Sequence, residues 1–136
     1  MVTKPTPKEI NNKLSRAREI ICNEPGQIVI IERGKWDEEW ERFRKFVGLE
    51  NSDVELFEDR LKIIADCLDE IKSSDHVWRG KRMYCNKMDF NDVELWEFRW
   101  LSTMWDEKDL YIKFGFRFDN LCFLSFHPDE PERRKN

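Results

Sequence analysis

Apolar residues recur every three or four positions through the first half of this 136-residue chain and every second position near its end. Thr6 as a cap, Pro7 at the first helical position and Glu9 completing a capping box predict where a first helix starts. Ile10, Leu14, Ala17 and Ile21 then share one face, and Pro25-Gly26 stops it. Gln27–Ile31 is β-branched and apolar, and reads as a short buried strand or an extended link. Trp36, Trp40, Phe43 and Val47 predict a second helix over about 35–47. Asp37, Glu38, Glu39 and Glu41 cover its start, and Arg42, Arg44 and Lys45 lie near its end, as the helix dipole favours. Gly48 is its stop. Val54, Phe57, Leu61, Ile64, Leu68 and Ile71 predict a third helix, starting near Ser52 or Asp53 and ending in the polar run 72–75.

From there the period falls from near 3.6 to 2. Lys81–Phe90 is a weak strand candidate and Val93–Leu101 a stronger one, with a polar turn over Ser102–Asp109. Leu110–Phe118 alternates: Leu110, Ile112, Phe114, Phe116 and Phe118 on one face, Tyr111, Lys113, Gly115 and Arg117 on the other. Asp119-Asn120 fits a two-residue hairpin turn, and Leu121–His127 returns before Pro128 and a charged tail. The pattern predicts one α+β domain over 1–136. About three helices (1–75) pack on a C-terminal antiparallel sheet of three or four strands (76–128), followed by the tail 129–136. The simplest hairpin register pairs Ile112 with His127 and turns His127 toward the Phe stripe. A one-residue bulge reverses that face.

Composition supports a folded chain, with 13% aromatic residues, six Trp and ten Phe. The net charge of −4 argues against broad nucleic-acid binding, and no DNA partner is expected. The charge is uneven: residues 1–75 hold 13 Lys/Arg against 17 Asp/Glu, whereas residues 76–136 hold 11 of each. Residues 76–88 carry Arg79, Lys81, Arg82 and Lys87 with no acid. The four cysteines are widely spaced and are expected to be free thiols. The start MVTKPTPKEI lacks an apolar signal core, and no run reaches membrane-spanning length, so a cytoplasmic protein without a membrane partner is expected.

The polar face of Leu110–Phe118 offers the best candidate chemistry. Tyr111, Lys113 and Arg117 project together, and two cations with a phenol on a rigid strand can hold and polarise a phosphate. The plain reading is the solvated face of a half-exposed sheet. Arg99 either joins that cluster or forms an ion pair with Glu97. His127 is either a general acid–base group or an ordinary strand-end histidine. Arg79, Lys81 and Arg82 with Trp78 suit single-stranded RNA, through phosphate contacts and stacking, or make a solvated loop with Trp78 on the core. Asp66, Asp69 and Glu70 read as a solvated helix face. The pairs Trp36/Trp40 and Trp96/Trp100 read as core or as a partner surface. Two histidines, no ligand spacing and no P-loop, GxGxxG, HExxH or GxSxG pattern lead us to expect neither metal nor cofactor.

Three segments carry a resemblance: VELWEFRW (Val93–Trp100), LYIKFGFRF (Leu110–Phe118) and LCFLSFH (Leu121–His127). In their order and rhythm they resemble the final strands of the RelE-like and MqsR ribonuclease toxins of bacterial toxin–antitoxin systems. The opening TPKEINNKL is similar to the MqsR start. The chain departs from those toxins in its acidic charge, its longer helical part and its HPDEPERRKN end. The resemblance implies a metal-independent endoribonuclease that cleaves mRNA, often at the ribosome, and is neutralised by a cognate antitoxin. Arg99, Lys113 and Arg117 would then stabilise the phosphate, and His127 or Tyr111 would handle protons. The rival expectation is a non-enzymatic interaction domain: an antitoxin, an immunity-like protein or another regulatory partner. Acidic charge and aromatics suit that role too.

Overall fold

The computed structural model describes residues 3–49 and 57–129. Three helices, α1 (Pro7–Asn23), α2 (Arg33–Val47) and α3 (Phe57–Glu70), bury their apolar stripes against one face of a four-stranded sheet. The strands are β1 (Ile28–Ile30), β2 (Leu95–Ser102), β3 (Lys108–Arg117) and β4 (Asn120–Pro128), in the order β1-β4-β3-β2. The α+β class holds, but the sheet is mixed. The half-buried β1 runs parallel to β4, pairing Ile28 with Leu121 and Ile30 with Phe123. Lys81–Phe90 forms no strand; it belongs to an irregular segment that follows the outer edge of β2 through single bridges at His76 and Tyr84. The expected start of the third helix, around Ser52 to Val54, lies outside the described residues, as does the tail beyond Asp129. No described helix is long and apolar enough to cross a membrane.

Thr6 caps α1, its Oγ1 accepting from the Glu9 amide at 3.1 Å. The reciprocal half of the capping box is absent. Glu9 turns instead to Arg82, whose Nη2 donates to it at 3.0 Å. Gly48 ends α2 with φ +82°, a left-handed conformation suited to glycine. α2 is mostly charged, and a helix of that length is marginal alone. Packing holds it: Trp36 stacks on Phe123 at 5.2 Å between ring centroids, and Phe43 meets Phe126 at 4.8 Å. Trp40, Trp96 and Trp100 are buried in the same cluster. Glu70 is half-buried rather than fully solvated: it accepts from Trp100 Nε1 at 2.9 Å and from Ser102 Oγ, fastening α3 to the end of β2. All four cysteines are free, and only Cys22 is exposed.

The β3–β4 hairpin departs twice from the simple register. Arg117 pairs with Asn120, so Phe118-Asp119 makes the turn. Phe118 is therefore not part of the core stripe: it takes φ +56° and is 82% exposed, with its carbonyl accepting from Arg16 Nη2 at 2.9 Å. Farther along, Phe114 pairs with Phe123 but Lys113 pairs with Ser125, leaving Leu124 as a bulge. Without it, strict alternation from Phe123 would drive Ser125 and His127 inward and Phe126 outward. Burying a phenylalanine contributes about 2–3 kcal/mol, and burying an imidazole instead carries a polar cost. The bulge satisfies both demands: Phe126 is 1% exposed in the core, and His127 moves to the outer face opposite Tyr111.

Gly115 explains how the segment before β2 crosses the outer face. A Cβ there would overlap Val93 Cγ1 and lie 2.5 Å from the Glu94 carbonyl oxygen. Gly115→Ala should therefore lower stability by about 1–3 kcal/mol, read as a reduced urea midpoint with an unchanged slope. A midpoint within error of wild type would show that this segment is not packed against β3.

Candidate functional site

The register arranges six side chains on the outer face in two rows. Glu97, Lys113 and Ser125 form one; Arg99, Tyr111 and His127 form the other. α2 builds the remaining wall. One of its stripes faces the core, while Lys35, Glu38, Glu39 and Arg42 line the cleft at helical spacing. The cleft has a volume of about 560 Å³, within the range of small-ligand sites. Five of its lining residues are Lys or Arg and three are Asp or Glu, a local excess of cations on an acidic chain.

Buried Glu97 organises the first row. It accepts from Arg79 Nε at 2.7 Å, Arg79 Nη2 at 2.8 Å and Tyr111 Oη at 2.6 Å. Burial pushes its pKa up, but the hydrogen bonds from Arg79 and Tyr111 outweigh that and hold it below the ordinary value. Burial and the Glu97 charge push the Tyr111 phenol far up, so its proton stays in the bond to Glu97. Tyr111 is thus a positioning group rather than a proton shuttle. Its ring stacks on His127 at 4.8 Å, with 24° between the planes. Arg99 does not pair with Glu97 either. Its Nε lies 3.4 Å from Asp129 Oδ2, and its guanidinium sits 5.8 Å from the Tyr111 ring centre.

Lys113 is half-buried and makes no direct hydrogen bond or ion pair among the described residues. Burial, helped by the nearby Lys35 and Arg79 charges and opposed by Glu97, pulls its pKa below the ordinary lysine value. Lys35 Nζ donates to Ser125 Oγ at 3.1 Å.

The second row ends in an acid–base pair. His127 Nδ1 lies 2.7 Å from the Pro128 carbonyl oxygen. A carbonyl only accepts, so Nδ1 carries the proton and Nε2 is the basic nitrogen. Nε2 stands 3.6 Å from Glu39 Oε2, and Glu39 Oε1 accepts from the Phe126 amide at 3.4 Å. The pair is within ion-pair reach but too long for a direct hydrogen bond. Burial therefore wins: it pulls His127 below its ordinary value and raises Glu39 from 4.5 to about 7. Near neutral pH the imidazole is uncharged and the carboxyl is close to half-ionised.

Of the residues expected from sequence, Arg99, Tyr111, Lys113, His127 and Arg79 meet in the cleft. Arg117 does not. It lies four residues beyond Lys113 along β3, about 13 Å at strand spacing, and pairs with Asp92 at 3.5 Å. The basic run also splits. Arg82 binds Glu9 and Glu94, and half-buried Trp78 and exposed Lys81 lie beside it, away from the cleft. Sequence reasoning missed Glu39, taken for helix-start polarity. Its place three residues after Trp36 and four before Phe43, on the apolar stripe, was the available signal. No protein-family model, curated protein or solved structure matches the chain.

Glu39 holds a proton more tightly in the folded chain than in the unfolded one. Folding favours its protonated form, so its contribution to stability is full below about pH 4.5 and is lost as the pH rises through about 7. Glu39→Gln abolishes that loss. Between pH 5 and pH 8, the stability difference between variant and wild type should move in the variant's favour by up to about 3 kcal/mol in urea unfolding. A pH-independent difference would mean that Glu39 is solvated.

Proposed function

We propose that the cleft is the active site of a toxin-type endoribonuclease that cleaves single-stranded mRNA by metal-independent acid–base chemistry. The observation that carries this reading is the Leu124 bulge, which sets basic His127 Nε2 beside Glu39 on the same face as Lys113 and Arg99. RNA supplies its own nucleophile. His127 Nε2 takes the proton of a 2′-hydroxyl as that oxygen attacks the adjacent phosphorus. Lys113 and Arg99 face the phosphoryl oxygens and stabilise the charge that develops. The Lys113 ammonium, made more acidic by burial, gives a proton to the departing 5′-oxygen. The products are a 2′,3′-cyclic phosphate and a 5′-hydroxyl. Glu39, when ionised, stabilises the imidazolium formed in the first step.

This reading places the protein in the cytoplasm, with mRNA or the ribosome as its target and a cognate antitoxin as its partner. A non-enzymatic interaction domain is the second reading. It is favoured by the exposure of Phe118 at 82% and Met88 at 85%, which a protein partner would cover.

The purified chain should cleave single-stranded RNA to cyclic phosphate ends, with a bell-shaped pH profile. Its lower limb should lie below pH 6.5 and its upper limb below pH 10.5, following the lowered pKa values of His127 and Lys113. His127→Ala and Lys113→Ala should each reduce the rate about 100-fold or more, whereas Arg117→Ala should change it little. Expression in a bacterium should arrest growth, and the double variant should relieve the arrest. Harmless expression together with intact RNA would leave the interaction-domain reading standing.

A further inference from the structure

A second cavity of about 250 Å³ adjoins the cleft, and the two share Lys35 and Lys113 as walls. Its other polar walls are Lys87, Asn86 and Glu32, over a floor of Ile31 and the bulged Leu124. The bulge thus shapes both cavities. Three lysines and one asparagine line this annex against one glutamate. That carboxylate, Glu32, is engaged by Lys87 in an ion pair between half-exposed side chains. Such surface pairs are weak and screened by solvent, so an arriving anion displaces this one easily. Among the described residues no aromatic side chain lines the annex. It therefore suits a phosphate and offers no stacking surface for a base.

We propose that the annex is a second phosphate subsite, so that cleft and annex together grip two consecutive phosphates of a polynucleotide backbone. Lys113 and Lys35 stand between the subsites and serve both. This rests on the reading of the cleft as a phosphodiester site and names what that site selects: a strand rather than a single phosphate. Glu32 moderates the subsite by competing for Lys87, and that competition gives it a signature that a mere surface crevice lacks.

The test is binding by the full chain, independent of cleavage. The first probe is a 2′-O-methyl dinucleotide with one internucleotide phosphate. The others are the same dinucleotide with an added 5′- or 3′-phosphate, and a nucleoside diphosphate. For one of the two phosphorylated forms, the added phosphate should tighten binding about tenfold in the wild type. It should also steepen the dependence of log K on log salt by about 0.7. Lys87→Ala should reduce that affinity ratio toward one, and Glu32→Gln should raise it above the wild-type value. A wild-type ratio near one, or a ratio indifferent to Glu32→Gln, overturns the subsite while leaving the cleft's chemistry standing. Equal or tighter binding of the nucleoside diphosphate overturns the backbone reading in favour of a pyrophosphate ligand. Failure of every probe to bind overturns both the subsite and the phosphodiester site.

Discussion

One extra residue in the last strand decides which side chains can meet. β4 must bury Leu121, Phe123 and Phe126 on one face, two odd positions and then an even one, and no regular strand does so. The bulge at Leu124 resolves the conflict. It moves the outer-facing positions of β4 by one place, so Ser125 and His127 come level with Lys113 and Tyr111. A demand of the hydrophobic core thus produces a polar arrangement on the opposite face. The same residue, no longer paired, turns toward the annex.

α2 completes what the bulge begins. β1 pairs with β4 only as far as Phe123, and beyond it the outer edge of β4 has amides to satisfy. Glu39 accepts from the Phe126 amide, so a helix rather than another strand closes that edge. The cost is a carboxylate drawn out of water, which raises its affinity for a proton. Glu97 meets the opposite fate under similar burial, because three short hydrogen bonds hold its charge. Two buried glutamates, one on α2 and one on β2, therefore differ in protonation through their partners alone. That divergence is common where proton transfer occurs.

The helices were legible in the sequence because their apolar stripes are long, and Thr6, Pro7 and Gly48 mark their ends by local chemistry. The alternation of Leu110–Phe116 was equally plain. β1 was legible as a short strand or an extended link, but its parallel pairing with β4 was not, because three β-branched residues carry no sign of the distant strand they will pair with. The run Phe123-Leu-Ser-Phe126 breaks the two-residue period and does mark the bulge, but alternation read from Leu110 alone passes over it. Phe118 looked like core because composition does not reveal where a turn closes; Arg117 and Asn120 pair one position earlier than Asp119-Asn120 suggested. For the site, Tyr111, Lys113, Arg99 and His127 were visible as types of residue. Their convergence depended on register, and Arg117 fell away because four positions along a rigid strand exceed the reach of one cleft.

NMR of His127 at neutral pH tests this arrangement most directly. If the bulge holds, His127 is a neutral ring protonated at Nδ1, with an unprotonated Nε2 and nuclear Overhauser contacts to the ring of Tyr111. Contacts from His127 to Leu110 and Ile112 in place of Tyr111 would mean the unbulged register. His127 would then lie in the core, away from Lys113.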